Sequence, residues 1–291
     1  MNLHKTLVSA VLITVFCNVA CYGIAADLFV VTEGYVGGDG AVVRISPTGG
    51  IRGVANKLFL PRGIAADSQG NLFVGMGASQ FDVLMLKTNG TQSSIPGAGY
   101  YYSLEMAAND VLYAGASTHI DRRSPNGAFE TFGTGSRNSG GMAFDAGGNL
   151  YATDTINLIN KFDPSGARTV FSSSVNSPID IAIDSHGDLF VTAYYDGAIY
   201  KFTPGGVRST FATGLSGPWG LAVDPSDNLY VSEREGGVIT KFSPSGAKSL
   251  YASGLVTPNY LIFAERPAEI PEPSTLLLAV IGLPMLMRRR R

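Results

Sequence analysis

Acidic and amide side chains that suit a hard divalent cation stand at matching places in several segments of the sequence. Asp154 and Glu233 each follow a short apolar run, as does Glu33, whereas Asp180 and Asn259 stand near the start of another such run. Carboxylate and amide oxygens are the ligands that Ca²⁺ takes in proteins. If these residues meet, they form a divalent-cation centre built from Asp154, Asp180, Glu233 and Asn259, with Glu33 as a further candidate.

A second group of residues suits an organic ligand. Trp219 is the only tryptophan, and it could stack on a sugar ring together with Tyr194 and Tyr195, although filling the protein interior is an equal alternative. Arg62 stands at the place that corresponds to Trp219 in another segment. The candidate ligand-binding residues are therefore Arg62, Asp154, Asp180, Tyr194, Trp219, Glu233 and Asn259.

Catalytic motifs are missing from the sequence. There is no G-x-S-x-G, no H-E-x-x-H, no P-loop and no cysteine cluster. His119 stands alone before a predicted strand, and His186 lies in a turn sequence, where we expect a solvated side chain. No catalytic residue is therefore assigned.

An internal repeat positions these candidates. Six segments share a Leu-Phe/Tyr-Val/Ala core, with leucines at 28, 72, 112, 150, 189 and 229, spaced 38 to 44 residues apart. Each unit holds four short predicted strands, and a first strand that ends in aspartate recurs at Asp67, Asp145, Asp184 and Asp224. These aspartates invite a calcium interpretation. Because they recur from unit to unit and can bond their own backbone, we interpret them as turn residues.

Four short strands in each unit of about 40 residues are typical of propeller blades. The sequence predicts an all-β, six-bladed β-propeller over residues 27–266. The chain enters on a second strand, Asp27–Val31, and leaves on a lone first strand, Tyr260–Ala264. These two should pair and close the ring, which removes an open sheet edge. The candidate residues then surround one mouth of the central channel, where the repeats vary as a binding surface would.

The amino-acid composition and charge limit the classes of partner that the protein is expected to bind. The formal net charge is −2 for the whole chain. Over residues 26–270 there are 16 Lys and Arg against 22 Asp and Glu, a net charge of −6. Such an acidic domain disfavours nucleic acid. The high glycine content, 36 residues, favours a turn-rich fold over long helices.

The N-terminal segment, residues 1–26, has the pattern of a secretory signal peptide. Lys5 precedes an apolar run, and small residues follow at Gly23, Ala25 and Ala26. A buried N-terminal strand is the alternative. Cys17 and Cys21 both lie in this segment, so the mature chain is expected to contain no cysteine.

The C-terminal segment, residues 267–291, contains a tripartite tail. Pro271, Glu272 and Pro273 precede a short apolar stretch, and a basic cluster follows at Arg288, Arg289, Arg290 and Arg291. This tail resembles the PEP-CTERM sorting signal, although an ordinary tail anchor is the alternative. The resemblance implies a bacterial host, processing by signal peptidase and an exosortase-type enzyme, and transient membrane association through a short hydrophobic helix. It also implies delivery to the cell surface or extracellular matrix.

The repeat units resemble NHL repeats. The resemblance is clearest in Pro178–Asp184, Ile199–Phe202 and Pro218–Asp224. It implies a six-bladed propeller that serves as an interaction platform. The wider superfamily includes gluconolactonase-like lactonases, which hold a metal at the channel mouth, and lyases of the streptogramin-inactivating type.

The sequence thus favours an exported, non-catalytic propeller that binds a protein or carbohydrate ligand without a cofactor. The alternative is a metal-dependent lactonase or related hydrolase with Ca²⁺ or another divalent cation at the mouth. A lyase is the third hypothesis, and it needs a histidine base near the channel, for which His119 and His186 are poorly placed.

Overall fold

A computed structural model describes most of the chain between the two terminal segments. The described residues are 26–34, 39–77, 82–96, 100–123 and 127–265. They form strands and turns and contain no helix. Accordingly, no helix within them has the length and apolarity that a membrane crossing requires. The predicted signal peptide (apart from Ala26), the C-terminal hydrophobic helix and the sorting motif lie outside the described residues.

The strands follow one another through the chain with short connections. In chain order they are β1 Asp27–Thr32, β2 Gly40–Ile45, β3 Ile51–Leu58, β4 Pro61–Ala66, β5 Leu72–Met76, β6 Asp82–Leu86, β7 Gln92–Pro96, β8 Ser103–Met106, β9 Leu112–Gly115, β10 His119–Arg123, β11 Phe129–Thr134, β12 Met142–Phe144, β13 Leu150–Thr153, β14 Ile159–Phe162, β15 Arg168–Ser172, β16 Pro178–Ile183, β17 Leu189–Ala193, β18 Ala198–Phe202, β19 Arg208–Ala212, β20 Pro218–Val223, β21 Leu229–Glu233, β22 Val238–Phe242, β23 Lys248–Ser253 and β24 Pro258–Ala264.

These strands form six antiparallel sheets of four strands, which are the blades of a propeller. Blade 1 is β24-β1-β2-β3, and blades 2 to 6 follow as β4–β7, β8–β11, β12–β15, β16–β19 and β20–β23. β1 pairs with β24, with Asp27 opposite Ala264. The predicted ring closure is therefore confirmed, because the first and last strands of the propeller complete one four-stranded sheet.

The repeated leucines explain the period of the sequence. Each opens the second strand of a blade, or follows its first residue, and each is almost fully buried: Leu28, Leu72, Leu112, Leu150, Leu189 and Leu229 are 0 to 2% exposed. They pack between neighbouring blades in apolar clusters that also contain the aromatic residues of the second and third strands. Because each leucine is buried at the same place in its blade, the leucines recur with the period of the repeat.

The recurring turn aspartates are structural, as predicted. Asp67 accepts hydrogen bonds from the backbone N–H groups of Gln69 and Asn71 at 3.0 and 2.8 Å. Asp224 does the same for Ser226 and Asn228, at 2.9 Å each. These carboxylates are occupied by their own turns, which is the local bonding that Asx turns use.

The innermost strands of the blades, β24, β4, β8, β12, β16 and β20, contact one another in a closed ring. Their backbones approach so closely that several positions admit only glycine. A Cβ added to Gly63 would lie 2.4 Å from the backbone N of Leu104, and one added to Gly220 would lie 2.5 Å from the carbonyl oxygen of Asn259. A larger side chain at one of these positions in the inner ring is therefore an exception to the pattern.

Candidate functional site

The innermost strands share one pattern, which defines positions along the channel. We count from the proline that opens β4, β16, β20 and β24, and align β8 and β12 on the same pattern. In this count, a residue at the third position packs against the third-position residue of the next blade, as Gly141 does against Asp180. The six innermost strands therefore run in the same direction along the channel. We call the opening where these strands begin the upper mouth, and the opening where they end the lower mouth. The second positions, at the upper mouth, are Arg62, Tyr102, Gly140, Ile179, Trp219 and Asn259.

A charged network crosses the upper mouth. Arg234 forms a short ion pair with Glu33 Oε2, and Arg62 lies 3.5 Å from Glu33 Oε1. The Asn259 amide lies 3.4 Å from Glu33 Oε2. Glu33 therefore joins side chains of blades 6, 1 and 2, and it is a binding partner of Arg62 and Asn259 in this network.

An aromatic run leads away from this network toward blade 5. The Arg234 guanidinium lies 4.4 Å from the Trp219 ring centroid, and Tyr194 contacts Trp219 edge-on at 5.6 Å. Tyr195 stacks edge-on against Tyr194 at 5.2 Å and is 77% exposed. The Tyr194 hydroxyl donates to Glu235 at 2.6 Å, and this bond raises the pKa of Tyr194 above its usual value.

The two tyrosines also line a groove between blades 5 and 6. Its volume is about 560 Å³, and Ser216, Gly217 and Glu235 form the opposite wall. Tyr194 lines the groove and touches Trp219, and Trp219 in turn contacts Arg234 of the charged network. The groove and the charged network therefore form one continuous polar and aromatic surface.

Three buried polar atoms of the upper mouth have no hydrogen-bond partner among the described residues. They are Arg62 Nε, Trp219 Nε1 and Asn259 Oδ1. All three belong to second positions, and their strands β4, β24 and β20 are neighbours in the inner ring. Buried polar groups are normally paired, and leaving one unpaired costs about 1–3 kcal/mol.

The four residues predicted as a metal centre do not come together. Asp154 accepts hydrogen bonds from the backbone N–H groups of Ile156 and Leu158, at 3.0 and 3.1 Å, and from the Asn160 amide at 3.0 Å. Its carboxylate is therefore turned into its own blade. A residue that ends a second strand can satisfy the following turn as well as face the channel.

Glu233 is engaged in the same way in blade 6. It accepts from Ser216 N at 2.7 Å and from the Thr240 hydroxyl at 2.5 Å. Asn259 lies at the upper mouth, and Asp180 lies deeper in the channel. Within the described part of the chain, no group of three His, Cys, Asp or Glu side chains is gathered as metal ligands.

Asp180 lies instead in a central cavity of about 250 Å³. Its oxygens accept hydrogen bonds from the backbone N–H groups of Ile181 and Leu221, at 2.8 Å each. Glu105 and Tyr260 line the same cavity. Two carboxyls and a phenol thus share a space that is otherwise bounded mostly by backbone and apolar side chains.

Both carboxyls of the cavity titrate far from their usual range. Burial, followed by the nearby Asp180 charge, raises the pKa of Glu105 to about 8. Burial raises the pKa of Asp180 to about 7, although its two backbone hydrogen bonds lower it. Burial and the Asp180 charge also raise the pKa of the Tyr260 hydroxyl.

Glu105 is the cavity residue that sequence reasoning missed. It stands at the fifth position of β8, where the other blades have Ala65, Ala143, Ala182, Ala222 and Ile262. An acidic residue at a place that the repeat otherwise fills with a small or apolar one was the available signal. It was obscured because this unit lacks the aspartate that ends the first strand elsewhere.

The two histidines of the described chain lie away from the cavity. His119 opens β10, the third strand of its blade, and its ring contacts Asp121 at 3.2 Å. His186 lies in the predicted turn, with a side chain that is 73% exposed. Neither ring lines the cavity.

The four-stranded sheets and their order define the protein as a six-bladed β-propeller, a fold that it shares with solved streptogramin B lyase structures. No protein-family model and no curated protein matches the chain. A solved structure of virginiamycin B lyase from Staphylococcus aureus is similar, with 19% identity, 70% of this chain and 77% of that chain covered, and a TM-score of 0.59.

Two further solved structures are also similar. A streptogramin B lyase has 15% identity, with 78% of this chain and 74% of that chain covered and a TM-score of 0.58. A chain of a nidogen/laminin complex has 14% identity, with 84% of this chain and 100% of that chain covered and a TM-score of 0.73. At this level of identity the likeness concerns the fold, which lyases and binding propellers share.

Proposed function

We propose that the protein is an exported, non-catalytic β-propeller that binds a saccharide at the upper mouth, on the cell surface or in the extracellular matrix. The unpartnered polar atoms of Arg62, Trp219 and Asn259 carry this proposal. They offer two N–H donors and one oxygen acceptor on adjacent strands. Hydroxyl groups of a sugar both accept and donate, so they complement this set.

The aromatic run supports the same ligand class. Tyr195 presents an exposed ring beside the groove between blades 5 and 6, and Tyr194 links that groove to Trp219. Aromatic faces with a few placed polar groups are the usual lining of organic ligand sites. Arg234 already covers one face of Trp219, so Tyr195 is the expected stacking platform and Trp219 the expected donor.

The chain ends support the location. A secretory signal at residues 1–26 and the PEP-CTERM-like motif Pro271–Pro273 with its terminal arginines favour export and delivery to the surface or matrix. Signal peptidase and an exosortase-type enzyme are the expected processing partners.

Replacement of the Trp219 indole by a phenyl ring tests the site. In Trp219→Phe the ring contacts of Arg234 and Tyr194 can persist, but the Nε1 donor is lost. We expect saccharide affinity to fall about 10-fold, which corresponds to one hydrogen bond of about 1.4 kcal/mol. Tyr195→Ala should weaken binding by a similar factor through lost stacking. Calorimetric titration with a saccharide selected from a glycan panel measures both effects.

Ile179→Ala is the matched control, because Ile179 occupies the second position of blade 5 with no polar group and should leave affinity unchanged. Equal losses in all three variants would contradict a specific upper-mouth site. If the protein binds a protein ligand and no saccharide, the ligand class proposed here would be wrong and a protein would take its place. Lactone hydrolysis that a chelator abolishes would overturn the proposal in favour of the metal-dependent hydrolase.

A further inference from the structure

We propose that the central cavity is a second binding site, which takes a primary ammonium group on a short aliphatic body. The groups that would bind it are the carboxyls of Glu105 and Asp180 and the hydroxyl of Tyr260, which line one cavity of about 250 Å³. This site is distinct from the upper mouth, because no second-position side chain is among its wall residues. The inference does not depend on the saccharide proposal.

The fold does not require these three side chains. The other third positions are Gly63, Ser103, Gly141 and Gly220, and crowding explains the glycines: a Cβ on Gly141 would lie 1.7 Å from Asp180 Oδ1. Gly141 leaves the space that the Asp180 carboxylate occupies, whereas Gly220 leaves room for the backbone of Asn259 and Tyr260. The inner strand of blade 4 thus leaves open the space that the Asp180 side chain fills.

Part of this polar lining is unused by the protein. The Glu105 carboxyl has neither a hydrogen bond nor an ion pair within the described residues. Tyr260 is 8% exposed, and its hydroxyl lies beside the Trp219 indole. A cavity carboxyl that serves no internal contact points to a ligand that it can bind.

The missing partner is a cation. Glu105 and Asp180 repel each other when ionised, and the cations that act on Tyr260, Arg62 and Arg234, are both paired with Glu33. A bound cation would offset both the repulsion and the loss of hydration. An ammonium group has three N–H donors, which matches two carboxylates and one phenol oxygen. A divalent metal fits less well, because no third acidic or histidine ligand is gathered among the described residues.

The remaining wall favours an aliphatic body on that ammonium group. Apolar side chains from the fourth and sixth positions line the cavity, among them Leu104, Met142, Phe144, Ile181, Leu261 and Phe263. The cavity volume is several times larger than the roughly 30 Å³ that one water molecule occupies in the liquid. A cation of a few carbon atoms can therefore bury its chain there while its head meets the carboxyls.

The lower mouth is the expected entrance. The cavity walls extend from the third to the sixth positions and stop below the second positions of the upper mouth. The lower mouth is rimmed by the aspartates that follow the innermost strands, Asp67, Asp145, Asp184 and Asp224. Lys161, Lys201 and Lys241 approach three of them. Because turns and lysines already engage these carboxylates, it is the net charge of −6 over residues 26–270 that draws cations toward the protein.

The groups facing Glu105 determine how binding depends on pH. On the inner strands packed against β8, the facing residues are Ile64 of β4 and Met142 and Ala143 of β12, none of which titrates. On β9, the titratable residue opposite Glu105 is Tyr113. Asp180 is the charged group that acts on Glu105 across the cavity. Because ionised carboxyls bind the cation, affinity should rise as pH passes through the raised pKa values.

Titration of the full protein with n-butylammonium chloride tests the site. We expect affinity to rise at least 10-fold between pH 6 and pH 9, a range in which an alkylammonium ion stays charged. Glu105→Gln should remove most of that rise. Asp180→Asn should also weaken binding, and Glu105→Gln alone carries the test if Asp180→Asn fails to fold. Glu130→Gln, an exposed acid on β11 paired with Arg122, is the matched control and should bind as the wild type does.

Three parallel measurements give the opposing outcomes. Equal affinity for 1-butanol would reduce the site to an apolar cavity and overturn the proposal. Binding of Ca²⁺ or Na⁺ in preference to butylammonium would make it an inorganic cation site. Butylammonium binding that Glu105→Gln leaves unchanged at pH 9 would place the ligand elsewhere.

Discussion

Glu105→Gln is expected to be more stable than the wild type at pH 9 by on the order of 2 kcal/mol, and about equal to it at pH 4. The pKa of Glu105 is about 8 in the folded protein and about 4.3 in an unfolded chain. A carboxyl whose pKa is raised by folding contributes stability below its unfolded pKa. That contribution is lost as pH rises from the unfolded to the folded pKa value, because over this range the unfolded state has released a proton that the folded state retains.

Asp180 acts in the same direction over a lower range, since its folded pKa is about 7. The wild-type protein should therefore lose stability between about pH 4 and pH 8 and level off above pH 8. In Glu105→Gln the Asp180 contribution remains, and its pKa should fall slightly because a neighbouring charge is gone. Urea unfolding at pH 4, 6, 7.5 and 9 measures these slopes, with Glu130→Gln as the control that keeps the wild-type slope. Parallel curves for Glu105→Gln and the wild type would show that Glu105 is not held protonated by the cavity.

Gly63→Ala is expected to destabilise the propeller by about 3 kcal/mol, at the upper end of overpacking effects. The added Cβ would lie 2.4 Å from Leu104 N and 2.5 Å from Ser103 Cα. Both are backbone atoms of the neighbouring blade, so no side-chain rotation relieves the contact. The inner strands of blades 2 and 3 would have to separate.

Gly53→Ala is the matched control for this prediction. Gly53 lies on the outermost strand of blade 1, where an added Cβ would meet nothing within 4 Å. It should be neutral or slightly stabilising, because glycine has the greater unfolded-state freedom. Thermal unfolding distinguishes the two variants, since about 3 kcal/mol corresponds to roughly 6–12 °C in a domain of this size. A similar small shift in both would mean that the inner ring is not close-packed at Gly63.

The blade repeat was predictable because its signals are local. A leucine at each second strand, aspartate at the end of most first strands and proline-glycine turns recur at short range, and each has a structural meaning that holds without its neighbours. Ring closure was predictable for a related reason. A chain that begins on a second strand and ends on a first strand has two unpaired elements that complete one sheet, as β1 and β24 do.

The sites needed the tertiary structure. Asp154 and Glu233 stand where a channel residue would stand, yet each is bound within its own blade. Sequence spacing does not reveal which way such a carboxylate points, because the backbone of the following turn and the channel both lie within a few ångströms of it. Arg62, Trp219 and Asn259 could be placed at one mouth from the repeat, but their unpartnered atoms depend on packing around Glu33.

Glu105 and Asp180 show the same division most clearly. They belong to blades 3 and 5, and they are 75 residues apart in the chain. Their positions along the inner strand follow from the repeat. Their mutual repulsion and raised pKa values follow only from ring closure, which brings separate blades around one narrow, poorly hydrated channel. Local periodicity therefore specified the blades and their order, whereas the shared environment of the channel residues arose from the closure of the ring.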